Sequence, residues 1–157
     1  MSEKKEVKFQ YTEYADAGTL PAKDFELLEA AEKVMAKAYA PYSHFHVGAA
    51  IRLDNQEIHI GNNQENAAYP SGLCAERVAL FHAMALNPDA VVESVAIAAE
   101  AQDFELTRII TPCGACRQAL LEYEVNSASP IRVVMGGTGG QEVVVESVVS
   151  LLPLTLC

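Results

Sequence analysis

The run SVAIAAE, Ser94 to Glu100, constrains this chain more than any other stretch. It is short, almost wholly apolar, and free of Gly and Pro. A strand with one wet face alternates apolar and polar residues, whereas a strand in the middle of a covered sheet reads as a continuous apolar run. SVAIAAE therefore predicts a central strand with helices packed on both faces. IRVVM, Ile131 to Met135, has the same character. Between Asp24 and Tyr39, Phe25, Leu28, Ala31, Met35 and Ala38 recur at helical spacing, and Pro41 closes that helix. VGAAIRLD, a turn at Asp54-Asn55 and EIHIGNN read as a hairpin. CAERVALFHAMAL is a helix closed by Asn87-Pro88, CGACRQALLEYE is a second short helix, and QEVVVES is a last strand. The order predicts an α/β fold, a three-layer α/β/α sandwich around a mixed five-stranded sheet.

The ends and turns are simpler. Val7, Phe9 and Tyr11 alternate with polar residues and predict a short strand, after which Gly18 and Pro21 break the chain. Residues 1–23 are expected to form an N-terminal arm and residues 24–157 a single domain, since 157 residues suit one core and not two. GGTGG, Gly136 to Gly140, lacks the Lys of a phosphate loop and is followed by a strand, so a strand-to-strand turn is expected. The apolar VVVESVVSLLPLTLC is expected to be a buried end of the fold.

Charge narrows the partners. Eleven basic against twenty-one acidic residues leave a formal charge of −10. That balance argues against nucleic acid, whose phosphates need a basic face, and against an anionic membrane surface. A small neutral substrate suits it better. MSEKKEVKFQ is charged and does not read as a signal peptide, and no apolar run approaches the ~18 residues of a membrane span. A cytoplasmic protein with reduced thiols is expected.

Four cysteines are therefore read as metal or redox groups before disulfides. TPCGACR, Thr111 to Arg117, offers Cys113 and Cys116 as C-x-x-C. By itself this is a redox pair, half of a structural zinc site, or two buried small residues. Pro112 suits the first turn of a helix, which places both thiols at a helix N-terminus, where free amides stabilise thiolates. Cys74 opens the other helix in the same way. If the two helix heads face each other, three cysteines supply three soft ligands to one ion and leave a position for water, as in a catalytic zinc centre. Cys157 has no partner at ligand spacing and is expected to be a bystander. Glu76, two residues beyond Cys74, is placed to reach a water at that centre as general acid and base. Three thiolates carry excess negative charge. Arg77, and less directly Arg117, would offset it by donating to sulfur.

C-A-E-R, followed some forty residues later by P-C-G-A-C-R, resembles the cytidine deaminase family of zinc enzymes. Cys74, where polynucleotide deaminases generally carry His, resembles the free-nucleoside branch. PYSHFHVGAA, Pro41 to Ala50, and NQENAAY, Asn63 to Tyr69, resemble two further family segments. The resemblance implies one Zn²⁺ per subunit, held by Cys74, Cys113 and Cys116. It implies that Asn63 and Glu65 bind the ribose hydroxyls, that Phe45 packs beside the nucleoside, and that the Ala75 backbone helps read the pyrimidine. It also implies hydrolysis of cytidine or deoxycytidine to the uracil nucleoside and ammonia, in a homotetramer. The tail departs from the family pattern: Leu156 stands where an aromatic residue usually ends L-L-P-x-x-F. Rival readings are a deaminase of a related aminopyrimidine nucleoside and a zinc-stabilised module without catalysis.

Overall fold

The computed structural model describes residues 2–137 and 140–156. Its centre is one mixed sheet built from β1 (Thr12–Tyr14), β2 (Phe45–Leu53), β3 (Ile58–Asn62), β4 (Val92–Ala101), β5 (Arg132–Gly137) and β6 (Glu142–Val145). The spatial order is β1-β6-β5-β4-β2-β3. Only β4 and β5 run parallel, and the other neighbours are antiparallel. The sheet thus has six strands where five were expected. The sixth is β1, which pairs Thr12 with Val144 and Tyr14 with Glu142 at one edge. The alternating residues Val7, Phe9 and Tyr11 lie outside it as exposed coil, because the short partner β6 offers an edge only to residues 12–14.

Side-chain alternation explains the layers. In β2, β4, β5 and β6, residues Ala50, Ala96, Ala98, Val134 and Val144 face one way, toward Leu27, Leu28 and Ala31 of α1 (Ala22–Met35). Their sequence neighbours Ala49, Ile51, Val95, Ile97, Val133, Met135 and Val145 face the other way. There they meet Ala79, Leu80 and Ala83 of α2 (Ala75–Leu86) and Leu120 and Leu121 of α3 (Gly114–Ser127). Period-two burial on both faces is the covered-sheet pattern that SVAIAAE predicted. Truncating any of these leucines to alanine costs about 2–5 kcal/mol.

Two glycines set how closely the helices approach. A β-carbon on Gly48 would lie 2.0 Å from the Ala31 carbonyl oxygen of α1. One on Gly61 would lie 2.4 Å from the Ala79 nitrogen of α2. The backbones of β2 and β3 therefore press directly on their helices.

Polar side chains pin the elements. Arg132 at the head of β5 donates to both oxygens of Asp24, in the first turn of α1, at 2.8–3.2 Å, and pairs with Glu146. Glu124 of α3 is 6 % exposed. Its carboxylate accepts from the amides of Ile131, Val148 and Val149 and from the Ser147 hydroxyl, at 2.6–3.1 Å.

Several boundaries differ from the sequence expectation. α1 spans Ala22–Met35 and not Asp24–Tyr39; its last turn gives way to a turn at 36–37, well before Pro41. Of the apolar tail, Val148 is fully buried, but Leu154 and Leu156 are 90 % and 79 % exposed. The buried end therefore stops near Leu152. The expected turn at 136–140 lies partly outside the described residues: β5 continues through Gly137, and Gly140 has φ 71. Cys157 lies outside the described residues. No described helix is long and apolar enough to cross a membrane.

Candidate active site

The heads of α2 and α3 meet on one face of the sheet. Cys74 and Cys113 are the N-cap residues of their helices, with extended backbones and no side-chain capping bond. Cys116 is the third helical residue of α3. Pro112 precedes the cap and does not occupy the first turn, because Cys113 itself takes the cap position. The Cys74 and Cys113 sulfurs are 3.9 Å apart and those of Cys113 and Cys116 3.5 Å apart. All three lie within 4.8 Å of one another, the only such grouping of ligand atoms among the described residues.

These distances suit an ion. Tetrahedral zinc with Zn–S of about 2.3 Å holds its sulfurs about 3.8 Å apart. The ionisation pattern agrees. A hydrogen bond from Cys116, then others from Arg77 and Cys113, hold the Cys74 thiol down to about 5, against partial burial. The Cys74 thiolate and burial push Cys116 up. Three thiols this close cannot all ionise unless a cation sits among them, so the donor set fits a soft divalent metal.

Glu76 is 5 % exposed, on the first turn of α2. Burial raises its pKa first, and the Cys74 thiolate adds to that. The neighbouring Cys116 thiol and Arg77 act the other way and lower it. Ala75, between Cys74 and Glu76, is fully buried. Arg77 places Nη2 3.7 Å from the Cys74 sulfur, and the thiolate contact raises the guanidinium's pKa. Arg117 goes elsewhere: it donates to the carbonyls of Pro112 (2.7 Å) and Leu151 (2.9 Å) and to the Thr111 hydroxyl (3.0 Å). It ties the chain before α3 to the tail and is not spent on sulfur.

A cavity of about 420 Å³ opens beside Cys74 and Arg77, lined by Tyr42, Ser43, Asn63, Glu65 and Tyr69 among others. Its size suits a small organic ligand. Asn63 donates to the Phe45 carbonyl and accepts from the Val47 amide, both at 2.9 Å. Glu65 accepts from the amides of Tyr42 (2.9 Å) and Ser43 (3.2 Å) and from the Ser43 hydroxyl. Slight desolvation pushes the Glu65 pKa up, but the bonds from Ser43 and Tyr42 outweigh it and hold the carboxyl below its usual value. Tyr42 and Ser43 were not singled out from the sequence; the signal was the PYS that precedes Phe45. Phe45 is half-buried at the start of β2, outside the cavity lining. A larger groove of about 900 Å³ lies between the arm and the tail, lined by Phe9, Tyr11, Val143 and Leu152 among others, away from the thiols. The thiol-side cavity is the candidate site: Cys74 and Arg77 line it, and Cys74 belongs to the three-thiol cluster.

A family model described as "Cytidine and deoxycytidylate deaminase zinc-binding region" matches residues 21–130, which contain all three thiols and Glu76. The chain belongs to this deaminase family. Deaminase relatives extend over most of its length. It is 39 % identical over 106 residues to a cytidine deaminase of Sporosarcina psychrophila, covering 68 % of this chain and 73 % of that one. It is 37 % identical over 129 residues to a cytidine deaminase of Halalkalibacterium halodurans, covering 81 % and 89 %. The crystal structure of cytidine deaminase from Burkholderia pseudomallei superposes with a TM-score of 0.71 at 37 % identity, covering 83 % of this chain and 97 % of that one. That from Mycobacterium tuberculosis gives 0.64 at 28 % identity, covering 84 % and 95 %. The deaminase fold and its mixed, helix-covered sheet are thus shared across the chain.

Proposed function

We propose that this chain hydrolyses cytidine and deoxycytidine to uridine and deoxyuridine, releasing ammonia. The observation that carries the reading is the buried carboxyl of Glu76 against the three-thiol cluster, in a chain of the deaminase family. Cys74, Cys113 and Cys116 would hold Zn²⁺. When bound, zinc supplies Lewis-acid activation of water near neutral pH.

The chain's own groups do the rest. Glu76, with its pKa raised by burial, takes a proton from the attacking water and delivers it to ring nitrogen 3. The water oxygen bonds to carbon 4. Glu76 then takes the remaining proton from the oxygen added at carbon 4 and passes it to the exocyclic amine; the carbon–nitrogen bond breaks, a carbonyl forms at carbon 4, and ammonia leaves. Arg77 balances the charge of the Cys74 thiolate. A carboxylate has about four acceptor positions. Glu65 uses three on Tyr42 and Ser43, which leaves one for a ribose hydroxyl. Asn63 likewise retains one donor and one acceptor position. Phe45 would flank the nucleoside, and the Ala75 backbone would meet the pyrimidine. We assign catalysis to residues 24–157, with 1–23 as an arm. The reading extends to a cytoplasmic homotetramer serving pyrimidine salvage, for which the exposed Phe9, Tyr69 and Leu154 are supporting apolar surface.

Ultraviolet monitoring of cytidine with the zinc-loaded protein tests the reading. Glu76→Gln is expected to keep zinc and fold while losing turnover by about 10²–10⁴-fold or more. Near-normal turnover in that variant would remove Glu76 from the reaction. A protein that holds zinc and deaminates neither cytidine nor a related aminopyrimidine nucleoside would be a zinc-stabilised module instead.

A further inference from the structure

The connection between β4 and α3 is fastened at three points to the turn that serves Glu65 and Asn63. Gln102 donates its amide to the His44 carbonyl at 3.0 Å. Asp103 Oδ2 lies 2.9 Å from His44 Nδ1. The Phe104 ring stacks on Phe45, with centroids 6.4 Å apart and planes 20° from parallel. All three contacts fall on two consecutive residues. On the opposite side those residues adjoin groups that the nucleoside reading uses. Ser43 donates to Glu65 through its amide and its hydroxyl, and the Phe45 carbonyl accepts from Asn63.

His44 needs a fastening. Its φ is 52, in the left-handed region where a β-carbon is crowded. A non-glycine residue stays there only when its surroundings over-determine it. Relaxation at His44 would turn the two peptides on either side of it. One carries the Ser43 end that reaches Glu65; the other leads to the Phe45 carbonyl that reaches Asn63. Phe104 acts on the ring. Phe45 is half-buried, and an offset aromatic partner restricts where its ring can sit. Neither partner serves the core: the Asp103 side chain is 67 % exposed and Phe104 is 58 % exposed.

We propose that Asp103 and Phe104 are positioning residues for nucleoside binding, holding the 42–45 turn and the Phe45 ring in the shape that Asn63 and Glu65 require. This rests on the nucleoside-deaminase reading above. Neither residue touches the reacting atoms, so the effect falls on binding and not on the chemical step at Glu76.

The test is steady-state kinetics on cytidine with the zinc-loaded enzyme, beside calorimetric binding of cytidine in a Glu76→Gln background. Asp103→Ala and Phe104→Ala are each expected to raise KM and Kd by about three- to tenfold and leave kcat within about twofold. Asp103→Asn still accepts a hydrogen bond from His44 and is expected to stay within about twofold of the parent in both. Melting temperatures should move by less than about 2 °C, as for exposed substitutions. Unchanged KM and Kd in both alanine variants would overturn the proposal. So would a fall in kcat at constant KM, or an Asp103→Asn variant as impaired as Asp103→Ala. A parent enzyme that does not turn over cytidine would overturn the functional reading instead. Calorimetry then decides the positioning claim: cytidine binding weakened by the alanine variants upholds it, and no binding by the parent overturns it.

Discussion

The Arg77 guanidinium lies 3.7 Å from the Cys74 sulfur, one helical turn along the same helix. That contact makes charge balance part of the site. Its loss leaves three sulfurs with one fewer positive neighbour. Arg77→Ala is expected to lower kcat/KM by about 10–100-fold, the usual scale for a group that supports metal ligands. Kinetics paired with zinc analysis checks this, and an unchanged kcat/KM would make the contact incidental.

Cys113 is exposed and packs into no core cluster, so its removal tests the metal site without opening a cavity. Cys113→Ala is expected to retain helical circular dichroism and lose bound zinc. A full zinc complement after that change would mean that the ligands lie elsewhere.

Glu124 is a stability prediction away from the site. Its carboxylate satisfies three backbone amides and a hydroxyl. Each buried donor left unpaired costs about 1–3 kcal/mol. Glu124→Ala should therefore lose about 3 kcal/mol or more in urea unfolding. A loss below about 1 kcal/mol would show that water replaces those contacts readily.

Glu142 carries a pH dependence. It is 3 % exposed, and its Oε2 has no hydrogen-bond partner among the described residues. Burial first, then Asp16 and Glu32, raise its pKa above the ordinary 4.5. A raised native pKa means that the group's favourable contribution is complete below 4.5 and is lost as pH climbs through the native value. By neutral pH, burial of this carboxyl group therefore costs the fold stability. Glu142→Gln is expected to raise the melting temperature by roughly 2–4 °C at pH 7, the scale of about 1 kcal/mol in a domain this size. The gain should vanish near pH 4. An equal gain at both values would assign the effect to packing alone.

How much of this was legible beforehand depends on how local each signal is. Cys74, Glu76, Cys113 and Cys116 were readable because two short helix heads carry them, and cap positions follow from a few neighbouring residues. SVAIAAE predicted the layers for a similar reason: its burial on both faces is written in its own composition. The sixth strand is not legible because β1 forms only alongside the short β6, at residues 12–14, a matter of edge length that residues 7–11 do not encode. Arg117 was read as a partner for sulfur but found carbonyls from Pro112 and Leu151 first, and Leu151 is 34 residues away. The bonds of Asn63 and Glu65 to the 42–47 segment, and the grip of Asp103 on His44, join residues 16 to 59 apart. Hydrogen bonds at that separation depend on how strands align, which residue type alone does not reveal.

Gly61 bears on the geometry of the thiol cluster, although it does not line the cavity beside Cys74. A methyl group there would sit 2.4 Å from the Ala79 nitrogen, against the 3.4 Å at which ordinary contact begins. Relieving that overlap would lift α2 by about 1 Å, and Cys74 and Glu76 ride on the same rigid helix. Metal–ligand distances tolerate only about 0.2 Å. The grip on any metal held by Cys74 would therefore be gauged from a hairpin: one missing methyl in β3, which would lie 2.9 Å from the Ala75 carbonyl oxygen, sets the height at which the neighbouring sulfur is presented.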